Sequence, residues 1–242
     1  MLKILFSPSE GKNNGGDKEK SKLLGATDAR DEILKTYNNI VNSKKEDDIK
    51  KLFGFKKFSD CKPYIVDIFN SPFMDAIERY QGVAYDYLEY QNLNEDAKNY
   101  IKQNTIIFSN LYGPIYAGDK IPNYKVKQGN NIGDIVPDKF YKDRFSYQLD
   151  LLLANDDILD LRAGYYDKFY KPNKSYTTLK FLKGGKVVSH WAKAYRGLVL
   201  KAIANANTQN IEDFKKLEIE GLSIHEIKTI KNKTEIVYNI TD

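Results

Sequence analysis

Three short segments combine basic and polar side chains with glycine in patterns that suit the binding of an anion. The first is Ser7-Pro-Ser-Glu-Gly-Lys12, which follows an apolar run directly. A strand end followed by small residues, a glycine and a lysine can present backbone N–H groups and an ammonium group to a phosphate. The spacing is not that of a P-loop, which has four residues between two glycines ahead of its lysine. An ordinary strand-to-loop turn is the alternative interpretation.

A second segment places an arginine where a strand is expected to end. It reads Asp160-Leu-Arg-Ala-Gly-Tyr-Tyr166, so Arg162 lies between a short apolar run and a glycine. Binding residues of α/β sheets lie at such strand ends, which makes Arg162 a candidate phosphate ligand. The alternative is a structural arginine that is paired with Asp160.

A third segment carries two cations and a histidine at the start of a predicted helix. It reads Ser189-His-Trp-Ala-Lys-Ala-Tyr-Arg-Gly197, so Lys193 and Arg196 are three residues apart and share one helix face. Cations at a helix start oppose the helix dipole, and an anion between them would remove that penalty. His190 is a candidate proton carrier, with a hydrogen-bonded structural histidine as the alternative.

The last two segments belong to a strongly basic stretch. Residues 162–201 hold ten basic residues and one acidic residue, a net charge of +9, whereas the whole chain is +5. Lys168 and Lys171 lie in this stretch, and aromatic residues are interleaved with the cations. Lysine and arginine neutralise phosphates while rings stack on bases, so the stretch favours a nucleic acid as partner. The alternative is a solvated basic face over buried tyrosines.

The composition excludes several other classes of protein. Cys61 is the only cysteine, and with His190 and His225 it cannot form an ordinary zinc or iron–sulfur site, so we expect no metal and no cofactor. The apolar run at Met1 is too short for a signal peptide, and no run reaches the ~20 apolar residues of a membrane helix. We therefore expect a cytoplasmic protein that has no membrane partner.

Hydrophobic periodicity predicts the elements that position these segments. Leu2–Phe6 and residues 105–111 carry the most continuous apolar runs and are predicted to be buried neighbours in one sheet. Other strands are predicted at 124–127, 158–161, 177–182, 186–189 and 235–240, and helices at 27–41, 48–58, 73–80, 95–103, 139–153, 191–204 and 211–217. Because these elements alternate without a linker or repeat, we expect a mixed α/β (α+β) fold: one compact domain over residues 1–242, with helices flanking a mixed sheet. Strand ends gather at one edge of such a sheet, so Lys12, Arg162 and Lys193 are expected to face one cleft.

The same three segments, with Leu111-Tyr-Gly-Pro114 and Asp119-Lys-Ile-Pro-Asn-Tyr124, resemble the YaaA, or peroxide-stress, family of bacterial proteins. The motifs SP-x-x-x-K, LYG, D-x-IP-x-Y, DLR-x-G-x-Y and SH-W-x-K-x-x-x-G occur here in the family's order. The resemblance implies a single mixed α/β domain with a basic cleft, double-stranded DNA binding and a role in limiting oxidative damage.

The resemblance also implies roles for individual residues. Ile49-Lys-Lys-Leu-Phe-Gly-Phe-Lys-Lys57 is similar to a helix-hairpin-helix element, with Gly54 at the turn and Lys56 and Lys57 beside it, although one glycine is present where a full motif usually has two. The resemblance implies Lys12, Arg162 and Lys193 as phosphate contacts, and Lys56 and Lys57 beside the hairpin. Lys168, Lys171 and Arg196 of the basic stretch complete the set of candidate phosphate contacts. The implied structural residues of the motifs are Ser7, Pro8, Gly54, Tyr112, Gly113, Tyr124, Tyr166 and Gly197.

Two functions remain open at this point. The first is a non-enzymatic protein that binds duplex or branched DNA through shape and charge. The second is an enzyme acting on a nucleotide or nucleic-acid phosphate, in which Lys12, Arg162, Lys193 and Arg196 hold the anion and His190 moves a proton. A closed pocket would favour the enzyme and an open groove the DNA-binding protein. The sequence leaves the oligomeric state open, with a monomer favoured.

Overall fold

A mixed eight-stranded sheet lies at the centre of the computed structural model, which describes residues 1–20, 23–25, 28–188 and 191–241. The strands are, in chain order, β1 (Leu2–Phe6), β2 (Gly11–Lys12), β3 (Phe73–Asp75), β4 (Tyr80–Gln81), β5 (Thr105–Ser109), β6 (Gly113–Tyr116), β7 (Lys120–Pro122), β8 (Asp157–Asp160), β9 (Tyr176–Lys183), β10 (Lys186–Val187), β11 (Leu222–Ile230) and β12 (Lys233–Ile240).

Helices connect and cover these strands. The α-helices are α1 (Asp31–Asn42), α2 (Glu46–Phe53), α3 (Ala76–Arg79), α4 (Val83–Leu88), α5 (Glu95–Asn104), α6 (Pro137–Leu152), α7 (Trp191–Asn205) and α8 (Ile211–Lys216). Short 3-10 segments occur at Asp28–Arg30, Phe58–Tyr64, Tyr90–Asn92 and Gly164–Lys168. The mixed α/β fold expected from the sequence is confirmed. No helix in the described part of the chain is long and apolar enough to cross a membrane.

The order of the strands creates a switch point in the sheet. The order is β11-β12-β9-β8-β1-β5-β6, with β10 paired to β9. β1 is parallel to β5 on one side and to β8 on the other. The chain first extends the sheet from β1 toward β5 and β6, and later extends it in the opposite direction through β8 and β9. The carboxyl ends of β1 and β8 therefore meet where the strand order reverses, which is where open α/β sheets bind ligands.

The central strand β1 is buried along its whole length, as its apolar run predicts. It pairs with β5 in the register Ile4 with Thr105, which confirms that these two strands are buried neighbours. Lys3 is the one charged residue of β1, and its Nζ atom donates to Asn104 Oδ1 at 2.8 Å and to the Gln103 carbonyl at 3.1 Å. These acceptors lie at the C-terminal end of α5, where the helix dipole favours a cation.

Two predictions about local structure are wrong, and one strand was not predicted. Residues 73–80 form β3, the short helix α3 and the start of β4 rather than one helix, because β3 pairs with β7. Residues 124–127 are not a strand: the Lys125 N–H donates to Tyr37 Oη at 3.1 Å and the Lys127 N–H to the Leu52 carbonyl at 3.2 Å, in place of a strand ladder. The edge strand β11 was not predicted. In the first two cases partners distant in sequence outweigh the local pattern, whereas β11 pairs with β12, the strand that follows it in the chain.

Helix α7 packs unusually closely on α4 at one glycine. A Cβ atom added to Gly197 would lie 2.0 Å from the carbonyl oxygen of Ala84 and 3.1 Å from the Leu88 nitrogen. Contacts with backbone atoms cannot be relieved by a side-chain rotation. The approach brings the start of α4 and the basic face of α7 to the same side of the switch point.

We predict that Gly197→Ala destabilises the protein by about 1 to 3 kcal/mol, the usual cost of overpacking, although alanine is the better helix former. Gly164→Ala is the matched control, because a Cβ atom there meets nothing within 4 Å. Urea unfolding measures both variants. Equal stability of the two variants would contradict the close contact between α7 and α4.

Candidate functional site

A cavity of about 420 Å³ lies at the switch point. Its walls come from the chain after β1, the start of α4, the chain after β8 and one face of α7. The lining residues are 6–10, 82–85, Gln128, Leu161, Ala163, Tyr166, Lys193 and Arg196. The Ser7 hydroxyl accepts the Ala163 N–H at 2.8 Å, which joins the two strand ends that form the floor. This volume suits a small ligand.

Two cations of α7 reach the cavity without an acidic partner. Lys193 is exposed and Arg196 is half-buried. Burial lowers the pKa of the Arg196 guanidinium, and the charge of Asp160 opposes this effect. No salt bridge joins either cation to an acid of the described residues. A desolvated cation without a partner favours the binding of an anion.

Among the described residues that line the cavity there is one carboxylate, Glu10, and it already has hydrogen-bond partners. Glu10 accepts from Lys125 Nζ at 2.9 Å and from the Gln128 N–H at 3.1 Å. Burial alone would raise the pKa of Glu10, but these hydrogen bonds hold it below its ordinary value. Glu10 therefore remains ionised and does not neutralise the cations of α7 directly.

Arg162 is a structural residue here, and its prediction as a phosphate ligand in the same cleft is not supported. Its side chain is 1% exposed and makes a two-pronged ion pair with Asp160, Nε to Oδ1 at 2.9 Å and Nη2 to Oδ2 at 2.7 Å. The guanidinium also donates to the carbonyls of Tyr166 and Tyr170 and lies 4.3 Å from the centre of the Phe108 ring. Arg162 borders a separate cavity of about 260 Å³, and Arg196 lines both cavities.

Lys12 lies next to residues of the first cavity and packs against two aromatic rings. Its Nζ atom is 3.9 Å from the centre of the Tyr124 ring and 5.2 Å from that of Tyr80. Among the described residues it donates to the carbonyls of Ser9 at 3.3 Å and Glu10 at 3.4 Å, and both of these residues line the cavity. Burial, with the nearby charges of Lys125 and Arg79, lowers the pKa of Lys12 to about 7.

A chain of buried hydroxyl groups runs under Lys12. Ser109 Oγ accepts hydrogen bonds from the N–H groups of Leu111 at 3.2 Å and Tyr112 at 2.8 Å. These two bonds use both lone pairs of the oxygen, so the hydroxyl proton of Ser109 is directed to Tyr124 Oη at 2.7 Å. Tyr124 then donates to Tyr80 Oη at 2.7 Å. Burial raises the pKa of Tyr80 to about 12, and the hydrogen bonds of Tyr80 with Ser109 and Tyr124 oppose this effect.

The remaining predicted residues lie in other parts of the molecule or outside the described residues. Lys168 and Lys171 are exposed near the end of the Gly164–Lys168 turn and do not line the cavity. Lys56 and Lys57 are exposed after Gly54, which ends α2 in the left-handed conformation with φ 75°. The segment that follows is the 3-10 helix Phe58–Tyr64 rather than a second α-helix. His190 lies outside the residues that the structure describes.

Four further motif residues line the cavity or pack behind its wall. Tyr166 lines the cavity and donates to Asn110 Oδ1 at 3.3 Å. Gly113 has φ 66° and packs against the Tyr141 ring, where a Cβ atom would lie 2.2 Å from Cδ1. Pro8 lines the cavity next to Ser7. Tyr112 contributes its N–H to Ser109 and its carbonyl to Arg30.

Two buried arginines were missed by the sequence analysis. Arg30 and Arg79 are both 0% exposed. Arg30 donates to the carbonyls of Tyr112 at 2.7 Å and Pro114 at 2.6 Å, and Arg79 binds four backbone carbonyls, including that of Gly15 at 3.0 Å. Their partners are carbonyls of distant loops, which no local pattern reveals. Among the described residues, no three His, Cys, Asp or Glu side chains are placed to hold a metal ion.

We predict that Asp160→Ala destabilises the protein by about 3 to 5 kcal/mol, because it leaves the Arg162 guanidinium buried without its carboxylate. The control is Asp167→Ala, since Asp167 is 56% exposed and lies 3.8 Å from Arg162. Thermal unfolding compares the two variants. A small effect of Asp160→Ala would show that the pair does not hold the end of β8.

We predict that Lys12→Met changes the pH dependence of stability. The folded pKa is about 7 against 10.5 for an ordinary lysine, so between these values the unfolded chain binds the extra proton. The free energy of unfolding of the wild type should therefore rise with pH relative to the variant across this window, by at most about 1.4 kcal/mol per pH unit. Urea unfolding at a series of pH values measures this difference, and parallel curves would contradict the burial of the Lys12 amine.

Comparisons with known proteins agree with the motifs. The chain matches the family described as "Peroxide stress protein YaaA" over residues 2–228. It is 42% identical over 246 residues to an uncharacterised protein from Campylobacter jejuni, with 100% of both chains covered. It is also 27% identical over 239 residues to a UPF0246 protein from Fusobacterium nucleatum, covering 93% of this chain and 94% of the relative. The order of the motifs, the extent of the match and the full-length relative together establish that the chain belongs to the YaaA peroxide stress protein family.

Proposed function

We propose that this protein binds duplex or branched DNA without catalysing a reaction, and that Lys193 and Arg196 are its central phosphate contacts. The observation that carries the proposal is the position of both cations on one face of α7 at the switch-point cavity, where no acid of the described residues is paired with them. Binding of this kind shields the DNA backbone, which is consistent with a family named for peroxide stress.

Two physical arguments support phosphate as the ligand of these cations. Lys193 lies in the first turn of α7, where its charge opposes the helix dipole and an anion would offset the repulsion. Arg196 is half-buried, so it has lost part of its hydration without gaining an ion pair. A guanidinium in this state binds a phosphate through two parallel hydrogen bonds, which a lysine cannot do.

Exposed lysines extend this contact surface. Lys168 and Lys171 follow β8, and Lys183 and Lys186 flank the β9–β10 hairpin; none of these four has a salt bridge within the described residues. With Lys193 and Arg196 they give six cations in the most basic part of the chain. Four or five phosphate contacts at once would make binding strongly dependent on salt and indifferent to sequence.

A second candidate is an enzyme that acts on a nucleotide or nucleic-acid phosphate in the same cavity. The observation that favours it is the size of the cavity, about 420 Å³, which admits a single nucleotide but not a duplex. In this version Lys193 and Arg196 hold the phosphate while the substrate occupies the space between α4 and the strand ends.

We predict a slope of log affinity against log salt of about −4 for the wild type, from roughly −0.9 for each phosphate contact. Replacing Lys193 and Arg196 together by alanine should flatten the slope by about two and weaken all sequences alike. Fluorescence anisotropy with a duplex and a four-way junction measures both quantities over a series of salt concentrations.

The matched control is the pair Lys215→Ala and Lys216→Ala on α8. The Ile211 N–H at the start of α8 donates to Asp157 at the amino end of β8, so α8 lies at the opposite end of the sheet from the cavity. This control should keep the wild-type slope. A wild-type slope near zero would refute DNA binding through phosphates. Unchanged DNA affinity in the cavity variant, with loss of a phosphatase- or nuclease-like turnover, would establish the enzyme instead.

A further inference from the structure

We propose that the edge strand β11 pairs with β11 of a second copy of this chain, antiparallel and about a two-fold axis that passes through Ile227. The product is a symmetric dimer in which two sheets join into one. β11 contributes no described residue to the switch-point cavity, so the proposal stands independently of the proposed DNA binding.

The first argument is the open edge of the sheet. β11 spans nine residues, Leu222–Ile230, and pairs with β12 along one side. It is the last strand in the order of the sheet, and in the described part of the chain its other side carries only the bridge from Leu222 to Ile219. The remaining backbone N–H and C=O groups on that side form a template for a further strand.

The second argument is the exposure of isoleucine side chains along this edge. Ile224 is 41% exposed, Ile227 is 46% exposed and Ile230 is 70% exposed. Ile227 lies opposite Ile236 of β12 and therefore on the same face of the sheet, where Ile236 is fully buried. An apolar row that is buried on β12 thus continues onto β11 and becomes exposed there. A second β11 would extend this row and remove apolar surface from water.

The third argument is a charge pattern that is complementary to itself. About an axis through Ile227, Glu226 of each copy lies opposite Lys228 of the other copy. Glu226 also forms a salt bridge with Lys228 of its own strand at 2.7 Å, so pairing would bring four alternating charges together on one face. Opposite charges across a strand pair favour pairing. Moving the axis by one residue, to Lys228, would instead place two lysines opposite each other.

Two features of β11 that usually protect an edge are accommodated by this register. Lysine blocks pairing between edges when it meets a like charge, but here Lys228 meets Glu226. The bulge between Ile224 and Glu226 limits the regular pairing to the residues around Ile227. Ile230 of one copy then lies opposite the segment of the other copy that holds Ile224, which brings two exposed isoleucines together.

Sedimentation over a series of protein concentrations should show a monomer–dimer equilibrium, and cysteine cross-linking tests the axis. Ile227→Cys should form an intermolecular disulfide under mild oxidation, because directly opposite residues have Cα atoms about 4.5 to 5.5 Å apart. Thr229→Cys is the matched control, since Thr229 is exposed on the same face. Its copy would lie four residues farther along the pair, about 13 Å away, which is beyond the reach of a disulfide.

A charge exchange tests the register. Lys228→Glu alone places like charges opposite each other on both sides of the axis and should weaken the dimer about tenfold or more. The double exchange Glu226→Lys with Lys228→Glu restores the opposite charges and should restore the affinity. Both side chains lie at the surface, so circular dichroism should stay unchanged.

Three results would overturn the proposal. The first is a chain that stays monomeric up to its solubility limit, which would leave the edge open to a strand from another protein. The second is a disulfide that forms equally well in Ile227→Cys and Thr229→Cys. The third is a dimer whose affinity does not respond to Lys228→Glu.

Discussion

The ion pair between Asp160 and Arg162 is the interaction on which the site depends. The guanidinium uses the carboxylate and two carbonyls of the following turn, which closes the chain after β8 into one rigid corner. That corner directs the Ala163 N–H to the Ser7 hydroxyl and so joins the ends of β8 and β1. Because the cavity floor is made by these two strand ends, its shape is set by a buried pair that contacts no ligand. Breaking a pair of this kind costs far more than its net contribution to stability.

Three basic residues near the switch point differ in how their charge is compensated. Arg162 has a carboxylate and carbonyls, and its burial is matched by hydrogen bonds. Arg196 and Lys12 are also withdrawn from water, yet no acid of the described residues pairs with either of them. A desolvated charge without a partner lowers stability, and it is retained at sites where a ligand supplies the missing charge or where a neutral form is useful. This contrast separates the structural arginine from the two functional candidates more clearly than sequence position does.

The sequence predicted the elements whose signal is local. Continuous apolar runs identified β1 and β5 as buried strands. Residues 73–80 were mistaken for one helix because their partner β7 is more than forty residues away in sequence. The site was predicted only in part for the same reason. Lys193 and Arg196 share a helix face that can be read from their spacing, whereas the burial of Arg162 depends on a turn that forms only in the folded chain.

The family motifs correspond to layers of the site. The wall of the cavity and its charges come from the motif SP-x-x-x-K and the start of α7. The motifs LYG and D-x-IP-x-Y lie behind this wall and surround the side chain of Lys12. Behind the wall, the Leu111 and Tyr112 N–H groups donate to Ser109 Oγ and use both of its lone pairs. The hydroxyl groups then donate in one order, from Ser109 to Tyr124 and from Tyr124 to Tyr80. The Tyr124 ring attracts an ammonium group, but the same ring excludes the water that would solvate it. Motifs that do not line the cavity therefore help to bury the Lys12 amine, and burial is the main cause of its lowered pKa.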